Sequence, residues 1–250
     1  MNREEKETLY TFLETADRML SGGTVPRAAM PSFTDDTVSA DGARGETSDG
    51  VPGPARMEDS GAPTESIAEI ASRIASCDRC VLCKTRKNVV PGIGPERPLV
   101  MVIGEGPGAD EDAQGEPFVG KAGQLLDKML LAIGLSRKEN CFIANVVKCR
   151  PPENRDPAPE EAAACAPFLE AQIYALRPRA ILAVGRVAAQ NLLKTTDGIG
   201  KLRGRIFDYR GIPLMPTYHP SALLRDENLK RPAWEDLKRF KTELLEDGNP

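Results

Sequence analysis

Histidine occurs once in the 250 residues, tryptophan once, and the aromatic residues together make up 5%. No apolar run approaches the ~20 residues that cross a bilayer. The opening MNREEKETLY is charged where a secretory signal carries its apolar stretch. These absences predict a soluble cytoplasmic protein with no membrane partner. There is no G-K-[ST], so no Walker A phosphate loop. The lone histidine, His219 in MPTYHPSALL, leaves three roles open: a packing residue, a surface residue or a catalytic group.

The formal charge of −4 argues at first against a nucleic-acid partner, but it is unevenly spread. Residues 1–64 hold 6 Lys and Arg against 12 Asp and Glu, and the remainder holds 27 against 25. The C-terminal part is therefore mildly basic and has the charge to form a local positive face. Hydrophobic content is 40%, and 250 residues suffice for one or two domains with a sizeable core.

Leu9, Phe12, Leu13, Ala16 and Leu20 recur at helical spacing, so residues 1–20 are expected to carry a short amphipathic helix. It is either a docking element for a protein partner or a dispensable tail. Residues 21–63 are rich in Gly, Pro, Ser and Asp and predict a disordered acidic linker. Residues 64–250 hold the folded domain. A helix is expected to start at TESIAEIASRIASC, with Thr64 in a weak capping box. PLVMVIG, CFIANVVKC and AILAVG read as buried strands separated by helices, and RIFDYRGIPLMPTYHP reads as a hairpin into a fourth core strand. The fold class is α/β: a three-layer α/β/α sandwich with a central, mostly parallel four-stranded sheet. Ligands in such sheets bind beyond the carboxyl ends of the strands. The Gly104 loop, Asn145, Gly185 and His219 all fall there.

Cys77, Cys80 and Cys83 form a C-x2-C-x2-C run, and Cys149 and Cys165 follow. Cys141 lies within a predicted strand as a small buried hydrophobe. Four thiolates hold either zinc or an iron–sulfur cluster. One close pair, one wide pair and a distant histidine favour a [4Fe–4S] cluster, with one cysteine of the first trio left over. The G-x-G of GEGPG is a weak dinucleotide signal, because a proline interrupts it and the acidic residues after it would repel a pyrophosphate.

VIGEGPGADEDAQGEPFVGKAGQLL, NVVKCRPPENRDP and YHPSALLR, in that order, resemble the motifs of the family-four uracil-DNA glycosylases, the iron–sulfur branch of their superfamily. The resemblance runs from about Cys77 to the C-terminal helix and leaves the first 64 residues uncovered. It implies an α/β/α fold, a [4Fe–4S] cluster and excision of uracil from single- or double-stranded DNA after base flipping, by an enzyme acting as a monomer. The implied ligands are Cys77, Cys80, Cys149 and Cys165, with Cys83 at a non-ligand position. Phe118 would stack on the flipped uracil, and Asn145 would read its edge. His219, as a neutral donor, would steady the departing anion. Glu105, supported by Glu111, would place water, since Gly106 occupies the position where the better-known branch has an Asp. Gly106 and Asn154 would line the site. Ser221 and Arg225 would meet phosphates, joined by Arg155, Lys201, Arg203 and Arg205, while Leu223 or Leu224 would wedge into the gap left by the base. Two other readings stand beside this one. A non-catalytic or polymerase-associated DNA-binding relative shares the fold; an iron–sulfur electron carrier leaves Phe118, Asn145 and His219 unexplained.

Overall fold

The computed structural model describes residues 65–246. The helix and linker expected within residues 1–63 lie outside them. The first helix, α1 (Ile67–Ala75), starts two residues later than the sequence suggested. Ser66 caps it because Ser66 and Glu69 supply both halves of a capping box: the Glu69 N–H donates to Ser66 Oγ at 3.2 Å, and the Ser66 N–H donates to Glu69 Oε2 at 2.7 Å. Thr64 has no glutamate three residues on.

The domain then runs β1 (Val100–Gly104), α2 (Ala109–Gln114), α3 (Lys121–Leu131), β2 (Cys141–Asn145), α4 (Pro159–Leu176), β3 (Ala180–Val184), α5 (Arg186–Leu193), α6 (Ile199–Leu202), β4 (Phe207–Tyr209), β5 (Ile212–Thr217), α7 (Pro220–Arg225) and α8 (Lys230–Phe240). The sheet order is β2-β1-β3-β5-β4. The four expected core strands are parallel. The count is five because the outer arm of the hairpin adds β4, antiparallel to β5, at the edge. Every residue of β1, β2 and β3 is buried, as unbroken apolar runs demand.

Alternation along the strands builds two cores. Met101, Ile103, Phe142, Ala144, Ile181 and Ala183 face one layer with α1, α4 and α5. Val100, Val102, Ile143, Leu182, Val184 and Met215 face the other with α3, α7 and α8. The chain leaves β1 toward one edge and β3 toward the other, so a crevice opens between their carboxyl ends. Among the described residues no helix is long and apolar enough to cross a membrane.

One polar tie braces this end of the sheet. Asp236 of α8 is 3% exposed. It accepts from Arg203 Nε at 3.0 Å and Nη2 at 2.7 Å, and from Thr217 Oγ1 at 2.7 Å. Arg203→Ala would leave a buried carboxylate short of its cation, a loss of about 3 kcal/mol. Urea unfolding is expected to show that drop, and an unchanged midpoint would remove the tie from the account of stability.

Candidate active site

The strand register sets Gly104, the last residue of β1, directly beside Asn145, the last residue of β2. A methyl group on Gly104 would lie 2.5 Å from Asn145 Oδ1 and 2.6 Å from Phe118 Cζ. Only a bare Cα lets the amide and the ring converge on that point. Asn145 is 1% exposed, and its Oδ1 has no hydrogen-bond partner. A buried acceptor left without a donor is costly, about 1–3 kcal/mol, and is uncommon unless a ligand completes it.

Phe118 is buried on the other side, with a left-handed φ of 54°. Several groups hold this unusual turn. Arg137 donates to the carbonyls of Pro117 and Phe118 at 2.9 and 2.8 Å. Gly123 of α3 presses against the Phe118 carbonyl so closely that a Cβ there would sit 1.8 Å from it. The Glu111 carboxylate accepts from the N–H groups of Gly108, Val119 and Gly120 at 3.0, 3.0 and 3.1 Å. Both Glu111 oxygens are thus engaged by backbone, and the side chain shapes the loop. The acidic stretch forms the short helix α2, which the sequence reading missed; acids in a first turn suit the positive helix end. Asp112 is buried there and accepts from the Lys87 N–H at 2.9 Å, which ties the loop to the segment after the first cysteines.

His219 completes the pocket, its ring centroid 5.6 Å from that of Phe118. Its Nδ1 accepts the Ser221 backbone N–H at 3.1 Å, and Ser221 Oγ lies 2.7 Å from the same nitrogen. A nitrogen that accepts a backbone N–H carries no proton, so in the neutral ring the proton sits on Nε2. Burial, and then the Arg225 guanidinium, push the His219 pKa down to about 4. The imidazole is therefore a neutral Nε2–H donor across the physiological range.

Glu105 follows β1 at the rim. Burial and the neighbouring Asp156 carboxyl raise its pKa to about 7, against the opposing pull of Arg186. Asp156 is itself paired with Arg186, at the start of α5. Neither residue was singled out from the sequence; no motif links positions thirty apart. Gly106 packs against Val147 and Pro151. Asn154 is exposed and accepts from Arg150 Nε at 2.8 Å.

The sequence expectations for the DNA-facing residues divide. Leu223 is 2% exposed and belongs to the core, while Leu224 on the same short helix is 40% exposed. Only Leu224 is free to wedge. Arg155 is committed to Glu161 by two bonds, at 2.8 and 2.7 Å, and Arg203 is committed to Asp236. Lys201 is exposed beside Asp197, Arg205 lies over the Phe207 ring, and Arg225 ends α7 in solvent.

Behind the sheet end, on the face of α1 and α4, lies a second pocket. Cys77, Cys80, Cys83, Cys149 and Cys165 line it together with Arg79, Arg86, Lys148 and Phe168. All five cysteines are free, and Cys141 lies elsewhere, in β2. Among the described residues, no three His, Cys, Asp or Glu side chains are gathered closely enough to hold a single metal ion. The chemistry of the sulfurs nevertheless fits thiolate ligation. Arg86 Nη1 donates to Cys149 Sγ at 3.1 Å, and the Lys148 N–H donates to Cys165 Sγ at 3.4 Å. Such donors stabilise and tune metal-bound thiolates. Lys148 is 1% exposed, and its Nζ donates to the Asn145 carbonyl at 2.9 Å and to Gln172 Oε1 at 2.7 Å. The sequence reading missed this lysine, because a lysine inside an apolar run gives no sign of its partners. It joins the cysteine pocket to the strand end that carries Asn145.

The sequence is also similar to those of known proteins. Residues 91–238 match the model of the uracil DNA glycosylase superfamily. A type-4 uracil-DNA glycosylase of Archaeoglobus fulgidus is 43% identical over 184 residues, covering 70% of this chain and 92% of that protein. The type-4 enzyme of Saccharolobus solfataricus is 44% identical over 190 residues, covering 72% and 87%. That of Thermotoga maritima is 44% identical over 192 residues, covering 74% and 98%.

Proposed function

The chain belongs to the uracil-DNA glycosylase superfamily, and from that premise we propose that it is a DNA-repair enzyme of the type-4 branch. It flips uracil out of DNA and hydrolyses the bond between the sugar and N1, leaving an abasic site. The observation that carries the reading is the orphaned Asn145 Oδ1, buried at the floor of a pocket walled by Phe118 and His219. Uracil presents N3–H to that oxygen. Cytosine presents a bare nitrogen there and would be repelled.

Phe118 stacks on the base, an interaction typically worth ~1–3 kcal/mol. As the glycosidic bond stretches, negative charge gathers on uracil and positive charge on the sugar. His219 Nε2–H donates to the developing anion at O2, and being neutral it gives no proton away. Glu105, once ionised, orients the water that attacks C1′ and balances the cationic sugar. Glu111, supporting water in the sequence expectation, instead fixes the loop that presents Phe118. Leu224 fills the vacated stack, while Arg225 and the Ser221 hydroxyl approach the flanking phosphates. A monomer acting in the cytoplasm completes the proposal, with any protein partner reserved for the N-terminal region.

The cysteine pocket is assigned to a [4Fe–4S] cluster held by Cys77, Cys80, Cys149 and Cys165. The cluster would supply structural cross-linking there: it joins the turn after α1, the segment after β2 and α4. Support comes from the sulfur hydrogen bonds of Arg86 and Lys148.

Labelled single-stranded and duplex oligonucleotides containing one uracil, treated with the protein and then alkali, are expected to break at the uracil. Intact strands at high protein concentration would favour the non-catalytic DNA-binding alternative. His219→Ala is expected to slow excision by about 10²–10³-fold with DNA binding kept. Asn145→Ala is expected to lose most excision likewise; wild-type rates in both variants would dismantle the site. The pH dependence has a definite sign. Glu105 works ionised, so kcat/KM rises as pH passes through about 7. Asp156→Asn removes the carboxyl that resists this ionisation and releases Arg186, which favours it. The acidic limb is then expected to move to lower pH, and an unmoved limb would separate Glu105 from the rate.

A further inference from the structure

The cysteine pocket has five thiols, one more than a four-iron cluster needs. The fifth, Cys83, is half-buried at its wall. The backbone between Cys80 and Cys83 is a 3-10 turn, Val81–Lys84, in which the Cys83 N–H donates to the Cys80 carbonyl at 3.2 Å. Cys80 precedes this turn in an extended conformation, and its side chain and that of Cys83 line the same pocket. The residues between them orient the turn: Leu82 is buried at 1% in the core, and Val81 is 61% exposed. Arg86, which donates to Cys149 Sγ, also lies within electrostatic reach of both Cys83 and Cys77.

We propose that Cys83 is an exchangeable ligand position, taking the place of Cys80 on the cluster without loss of iron. The inference rests on the cluster assignment above. In the exchange the Cys80 Sγ–Fe bond breaks and a Cys83 Sγ–Fe bond forms. Cys83 releases its thiol proton to solvent, and the freed Cys80 thiolate takes one up. No electron moves, and the cluster keeps four thiolates. The holding set alternates between Cys77, Cys80, Cys149, Cys165 and Cys77, Cys83, Cys149, Cys165.

Iron and acid-labile sulfide are measured per chain in full-length protein purified anaerobically, as wild type, Cys83→Ser, Cys80→Ser, Cys80→Ser/Cys83→Ser and Cys149→Ser. Full loading is expected in wild type and Cys83→Ser, most of it in Cys80→Ser, and its loss in the double variant and Cys149→Ser. Iron-free Cys80→Ser beside loaded wild type overturns the exchange alone. Iron retained in the double variant overturns it too, because the cluster then needs neither thiol. Iron-free wild type overturns the cluster assignment and the exchange with it. A measurement on unaltered ligands covers the case of a Cys80→Ser chain that fails to fold. Loaded wild type is alkylated anaerobically with iodoacetamide and mapped by mass spectrometry. Exchange gives singly modified chains labelled at Cys80 in some copies and Cys83 in others, with Cys80 protected in Cys83→Ser. Label confined to Cys83 in wild type overturns the proposal.

Discussion

The bare Cα of Gly104 is the contact on which the pocket depends. The amide of Asn145 and the ring of Phe118 both close onto it, and neither could with a side chain in the way. Convergence there strips water from the amide and leaves one acceptor unmatched. The pocket floor is thus formed before any base arrives, at a standing cost in stability that a bound donor offsets. The supports around it serve this arrangement: the Glu111 carboxylate, the Arg137 guanidinium and the close packing of Gly123 all hold the backbone that carries Phe118.

Two titrating groups at the site are displaced in opposite senses by one cause. Burial disfavours the charged form of each, so His219 is kept neutral well below the usual histidine range and Glu105 is kept protonated well above the usual carboxylate range. Their neighbours reinforce the separation, Arg225 beside the imidazole and Asp156 beside the carboxyl. Divergent environments for paired groups are a frequent mark of divided chemical roles.

The fold was legible in the sequence because unbroken apolar runs alternating with helical segments leave few arrangements, and the strand ends then mark where chemistry sits. Asn145 and His219 were singled out this way, and Phe118 through the motif resemblance. What stayed hidden depends on pairing in space. Leu223 and Leu224 are adjacent letters, yet one is core and the other is free. Arg155 and Arg203 look like phosphate contacts until Glu161 and Asp236 are seen beside them. Glu111 reads as a carboxylate facing a substrate, and only the fold reveals three amide groups converging on it. Sequence periodicity carries burial well and carries partnership hardly at all.

The stretch from Asn145 to Cys149 is a single piece of backbone with two attachments. At one end is the amide that floors the first pocket, at the other a thiol of the second, and Lys148 between them fastens its ammonium back onto the Asn145 carbonyl. Whatever holds Cys149 in place therefore also bears on the seat of the Asn145 amide.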